Sequence, residues 1–190
     1  MSHAARADAA RPSTRAQWAA VLLTATLTVV LGLGLPRLAA STAPADTAVA
    51  AGDQVVAGGV AVTVAEGWAR AGGTDLLVLN KADTKFFVVP SGPSTQSPED
   101  AVSEAAAGYS IDTSPDSTIG EVQSFTTGSG LQAASVTVVQ PDLVTVLYAF
   151  SDGASLASGN ATSTPASWPD VKDEVDEMAT TVEFAPEASS

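Results

Sequence analysis

The pattern of apolar and polar positions divides the chain sharply in two. Trp18 to Leu35 is an unbroken run without a charged residue, whereas the rest alternates short apolar stretches with Gly-, Ser- and Pro-rich punctuation. At about 1.5 Å of rise per residue the first run nearly crosses a hydrocarbon core of roughly 30 Å. Pro36 to Leu38 extend it, so residues 18–38 are predicted to form one N-terminal transmembrane helix. Arg6, Arg11 and Arg15 precede the run against a single Asp8, and only Arg37 is basic just beyond it. The positive-inside bias makes residues 1–17 a cytoplasmic tail and puts the remainder outside the cell membrane.

A cleaved signal peptide is the competing reading. Gly32, Gly34 and Pro36 break the helix near its end, and Ala43-Pro44-Ala45, or less well Leu38-Ala39-Ala40, fits a small-residue cleavage site. The long leading tail and the length of the apolar run favour an uncleaved signal anchor. Both readings export the folded part.

Residues 39–51 read as a linker of Ala, Ser, Thr, Pro and Asp, and residues 52–185 as one extracytoplasmic globular domain with a disordered tail at 186–190. Strand periodicity begins at Asp53. Gln54–Ala57, Gly58-Gly59 and Val60–Val64 predict a hairpin, with Val60, Val62 and Val64 on one face. Asp75–Asn80 and Lys85–Val89, joined by a turn at 81–84, predict a second hairpin, apolar on both faces and so covered on both sides. Pro90 to Gln96 reads as a loop. Ser97 caps a helix that opens on Pro98, Glu99 and Asp100, carries Val102, Ala105, Ala106 and Tyr109 at helical spacing, and ends between Gly108 and Ile111. Glu121–Thr126, Leu131–Gln140 and Leu143–Phe150 predict an antiparallel meander whose last strand is central. Ser151 to Ala166 reads as a loop of small residues. A final helix over Trp168–Thr181 places Trp168, Val171, Val175, Met178 and Val182 on one stripe, with Ser167 as its cap and its acids turned to water. The fold class is therefore α+β, an antiparallel sheet covered by helices. About 135 residues suffice to bury a stable core.

Composition then removes chemistries. The chain has no cysteine, and its one histidine is His3. Disulfides, thiolate metal sites, Cys nucleophiles and Ser-His-Asp triads are excluded from the exported domain. No G-x-S-x-G, S-x-x-K or Gly-rich phosphate loop occurs, and Ser129, between Gly128 and Gly130, is a turn residue. From Asp46 onward 20 acids face four bases, a net charge of −16 that repels nucleic acid and anionic lipid. Lysine only at 81, 85 and 172, asparagine only at 80 and 160, and abundant alanine match the bias of GC-rich bacteria. The run Asp170, Asp173, Glu174, Asp176, Glu177 lacks the oxygen-ligand loop of calcium sites and reads as a solvated helix face. Asn160-Ala161-Thr162 fits a glycosylation pattern by chance. Trp68 and Trp168 read as core rather than ligand-stacking residues. No catalytic, cofactor-binding or metal residue is assigned, and no cofactor.

One resemblance adds to this. The Gly-turned hairpin leads to a valine-rich strand ending in Glu66-Gly67-Trp68, and the chain closes on an acidic helix with a short apolar tail, Met178 to Phe184. From Gly52 to Phe184 this is similar to the PsbP-like fold, an α/β/α sandwich around an antiparallel sheet, which actinobacterial envelope proteins of the LpqN type share. The resemblance implies a non-catalytic accessory protein of the envelope that binds a protein or small-ligand partner, and it transfers no site residues. Many envelope members carry a lipidated cysteine, which is lacking here, so the anchor would be the N-terminal helix. The alternative function is an exported carboxylate-dependent hydrolase.

Overall fold

The computed structural model describes residues 45–72, 76–112 and 116–185. The expected tail, transmembrane helix and most of the linker, like residues 186–190, lie outside them; among the described residues no helix is long and apolar enough to cross a membrane.

The strands are β1 (Thr47–Ala48), β2 (Gln54–Ala57), β3 (Val60–Thr63), β4 (Ala69–Arg70), β5 (Leu77–Lys81), β6 (Thr84–Pro93), β7 (Thr118–Ile119), β8 (Gln123–Thr126), β9 (Gln132–Val139), β10 (Val144–Ser151), β11 (Ser155–Ser163) and β12 (Glu183–Phe184). Helix α1 covers Pro98–Asp112 and α2 covers Trp168–Thr180. The main sheet is antiparallel in the order β1-β4-β5-β6-β11-β10-β9-β7, with β8 also on β9, and β12-β3-β2 make a small second sheet. The first hairpin turns on Gly58 and Gly59, at φ 57° and 78°, the positive angles a two-residue turn needs.

Two cores result. The small sheet and α2 lie on one side of the main sheet, packing Val60, Val62, Val64, Trp68, Val175 and Met178 against Leu77, Leu79, Phe86, Val88, Tyr148 and Phe150. Helix α1 lies on the other side, over β9 and β10, where Val102 and Ala106 meet Val136, Val138, Leu147 and Ala149. Ala105 is exposed instead.

The structure corrects the sequence reading in five places. The stretch 151–166, expected as a loop, contains β11, a long strand between β6 and β10. Its inward residues are Ala157, Gly159 and Ala161, and their smallness makes room for the rings of Phe86, Tyr148 and Phe150, which stack edge-on or flat at 6.0 to 6.1 Å between centroids. A Cβ on Gly159 would stand 2.9 Å from the Phe87 carbonyl oxygen. Residues 90–93, expected in a loop, continue β6 past a bulge, because β11 is there to pair with them. Thr47–Ala48, inside the expected linker, pairs with β4 as an edge strand. Ser167 makes no side-chain cap; its backbone is helical and its hydroxyl donates to Asp83 Oδ2 at 3.0 Å, while the Thr164 carbonyl accepts the Trp168 N–H. Finally, the outer side of the β5–β6 region, expected to be sealed, is only half-buried at Val78, Phe87 and Val89, and among the described residues α1 packs chiefly on β8, β9 and β10.

Candidate functional site

Two regions compete as sites. The first is a cleft of about 320 Å³ between α2 and the end of β3, with Val64, Ala65 and Met178 along its floor and Glu66, Glu174 and Glu177 at its rim. Such a set of acids is what a carboxylate hydrolase would need. Glu174, however, is already committed. Both its oxygens lie 2.7 Å from Lys81 Nζ, and Oε2 accepts the Trp68 indole N–H at 2.8 Å. Trp68 is 1% exposed, so its N–H requires this partner. Lys81 Nζ also donates to the Glu66 carbonyl at 2.9 Å, and its stem passes beside Gly67, whose φ of 80° turns the chain there. Burial pushes the Glu174 carboxyl up, but the hydrogen bonds from Lys81 and Trp68 and the lysine charge together outweigh it and hold the group below its usual range. A general acid needs the opposite shift. The cluster is a clamp that joins α2 to β5 and to the Trp68 loop. It also corrects the expectation that every acid of the last helix faces water.

Two further acids, Asp83 and Asp176, serve the fold as well. Asp83 accepts from Thr164 Oγ1 at 2.6 Å and from Ser167 Oγ, bonds that lower its carboxyl and tie the β5–β6 turn to the start of α2. Asp176 takes Lys172 at 2.6 Å and the Tyr148 hydroxyl at 3.4 Å. Burial above all, then the Asp176 charge, pushes the Tyr148 hydroxyl far up. Among the described residues no three of His, Asp and Glu are grouped to hold a metal ion. Ser129 lies in a turn and donates to the Val182 carbonyl at 2.9 Å. Trp168 is half-buried against the core.

The second region is the outer side of β5, β6 and β11, where among the described residues the α1 cluster extends only to Leu156, at the start of β11. Strand register fixes its layout. Asn80, Lys85 and Thr162 form one row, Val78, Phe87 and Asn160 the next, and Val89 and Ser158 a third, with Leu76 just before β5. Phe87 thus stands at the centre of the patch. Val78, Phe87 and Val89 are half-buried, and Leu76 is 41% exposed. Asn160, placed in a loop by its sequence, is a strand residue here, and half-buried. Its Oδ1 and the Oδ1 of Asn80 are nonetheless buried without a hydrogen-bond partner, as is Oγ1 of the fully buried Thr145 beside Thr162. Asn80 Nδ2 donates to Asp46 Oδ2 at 2.8 Å, which holds β1 at the rim of the face.

Sequence reasoning missed this face because one of its three strands read as a loop. The signal that was available is the alternation Ser158, Asn160, Thr162 against Ala157, Gly159, Ala161, a period of two in which neither side is strongly apolar.

No family model and no curated protein sequence matches the chain. Its structure is similar to the solution structure of cyanobacterial PsbP (CyanoP) from Synechocystis sp. PCC 6803, with a TM-score of 0.50 and 11% identity. The match covers 76% of this chain and 99% of that one, and at this identity it concerns architecture: the chain has a PsbP-like fold, mostly antiparallel sheet with two helices among the described residues.

Proposed function

We propose that the chain is a single-pass, non-catalytic accessory protein of a bacterial envelope, of the kind that the resemblance to LpqN-type actinobacterial proteins implies. Residues 18–38 anchor it, residues 1–17 are cytoplasmic, and the PsbP-like domain stands outside, where it binds a partner. The observation that carries this reading is the outer face of β5, β6 and β11, which combines the exposed Leu76 and the half-buried Val78, Phe87 and Val89 with the unpaired oxygens of Asn80 and Asn160. The commitment of Glu174 to Lys81 and Trp68 weighs against the hydrolase alternative.

A photo-cross-linking residue in place of Phe87, introduced into the tagged full chain in cells, tests the binding face. The expected result is a discrete adduct that the same residue at the exposed Asp142 does not give. Equal labelling at both positions would refute the face. Topology is tested separately: protease added to intact cells should digest a C-terminal tag and spare an N-terminal one, and a mature protein starting near Ser41 or Asp46 would replace the anchor with a cleaved signal.

A further inference from the structure

The open face also defines the chemistry of what it binds, an inference that rests on the partner-binding reading above. Its positions form two halves. Leu76, Val78, Phe87 and Val89 make an apolar square, and Asn80, Lys85 and Asn160 stand along its polar side. Asn160 is half-buried as a residue, while its side-chain oxygen is fully buried and unpaired. Asn80 repeats the arrangement. An unpaired buried acceptor costs stability, and two on one face, on the strands either side of β6, call for a common explanation. The terminal torsion of a carboxamide is soft, so a turn of the amide presents both its acceptor and its donors outward. That pair of groups matches the N–H and C=O of a peptide unit.

Spacing sharpens the match. Asn80 and Asn160 stand two strands and one side-chain row apart, about 12 Å from the usual strand separation and rise. An extended chain covers that distance in three to four residues, and a side chain between the two amides falls on Phe87. A helix keeps its main-chain N–H groups to itself and would leave the amides unserved. The net charge of −16 from Asp46 onward repels an acidic segment and attracts a basic one. We infer that the face binds an extended, basic peptide segment of a partner protein, with one large apolar side chain seated on Val78, Phe87 and Val89 and its main chain held by Asn80 and Asn160.

The test uses the full chain, purified in detergent and immobilised, and a degenerate decapeptide library as the probe. Retained peptides should be enriched in Lys and Arg and in one large apolar residue at a fixed offset from them. Phe87→Ala and Asn160→Ala should each weaken a selected peptide by about 10-fold or more, with melting temperatures showing that both variants fold. Selection of acidic peptides, no selection at all, or selection that both variants preserve would overturn the inference. The cross-linking experiment at position 87 separates the two levels. A protein adduct there with no linear peptide retained leaves partner binding standing and removes the peptide chemistry, whereas no adduct at that position removes both.

Discussion

Phe86 and Phe87 are neighbours in β6, yet they live in different environments. Phe86 points to the side closed by the small sheet and α2, where it is 0% exposed along with Leu77, Leu79 and Val88. Phe87 points to the other side, beside Val78 and Asn160, and stays half-buried. Both faces of these strands are apolar enough to be core. What separates them is where the helices land: α2 lies across the inner face, whereas α1 packs chiefly over β9 and β10, and among the described residues its cluster reaches β11 at Leu156. Hydrophobic content alone therefore does not identify a sealed face, and the difference is what makes the outer one the proposed binding surface.

Truncating the two rings gives the largest expected contrast. Phe86→Ala removes a fully buried ring that packs edge-on against Tyr148 at 6.1 Å, and should cost about 3–5 kcal/mol. Phe87→Ala should cost less, about 1–2 kcal/mol, because that ring is only partly buried. Urea denaturation of the two variants checks both figures. Equal losses would mean that the outer face is core and would remove its candidacy as a site.

Gly159 tests how the inner face accommodates its rings. A methyl group there would meet the Phe87 carbonyl oxygen at 2.9 Å and Val88 Cγ2 at 3.3 Å. Backbone does not yield easily, so Gly159→Ala should destabilise by about 1–3 kcal/mol. A neutral result would show that β11 sits less tightly on β6 than its register implies.

This strand is also where the sequence was least legible. The first hairpin, the start of α1 at Ser97, the central position of β10 and the stripe of α2 all follow from local signals. The Ser97 hydroxyl accepts the Asp100 N–H at 3.1 Å, and every residue of β10 is buried. β11 carries no such signal, because Ser, Ala, Gly and Asn have low strand propensity. Its strand state comes from the large residues on both neighbouring strands, which need small ones between them, and that need is a property of the assembled sheet. The Trp68–Glu174–Lys81 clamp was hidden for a related reason: its members are separated by 93 residues or more from Glu174. Trp68 was legible as core, but its partner was not. Asn160 suffered twice, since its strand was missed and its tripeptide resembled a surface motif.

The clamp makes a smaller prediction on the closed side. The Glu174 carboxyl is held below its unfolded value of 4.5, so its contribution is present above that pH and is lost as pH falls through the lowered folded value. Lys81 and Glu174 are 28% and 31% exposed, so the pair is worth under about 1 kcal/mol after solvent screening. Melting temperature should therefore fall more steeply with acidification below pH ~5 in the parent than in Glu174→Gln. Parallel curves would mean that the clamp contributes geometry without charge.

The smallest expected effect, and the one of opposite sign, belongs to Asn160. Its carbonyl oxygen is buried without a partner, and its flanks in the same row are Phe87 and Leu147. Leucine has nearly the same shape, brings no unsatisfied atom and suits a strand better. Asn160→Leu should therefore leave stability unchanged or raise it by up to about 1 kcal/mol. The same substitution removes the amide that would meet a bound peptide group, so it should weaken retention of a selected peptide while the melting temperature holds or rises. A residue kept for the fold behaves in the other way, losing stability when replaced. If Asn160→Leu lowers stability by more than about 1 kcal/mol, the amide belongs to the architecture of the sheet, and the open face loses the group that most distinguishes it from an uncovered patch of core.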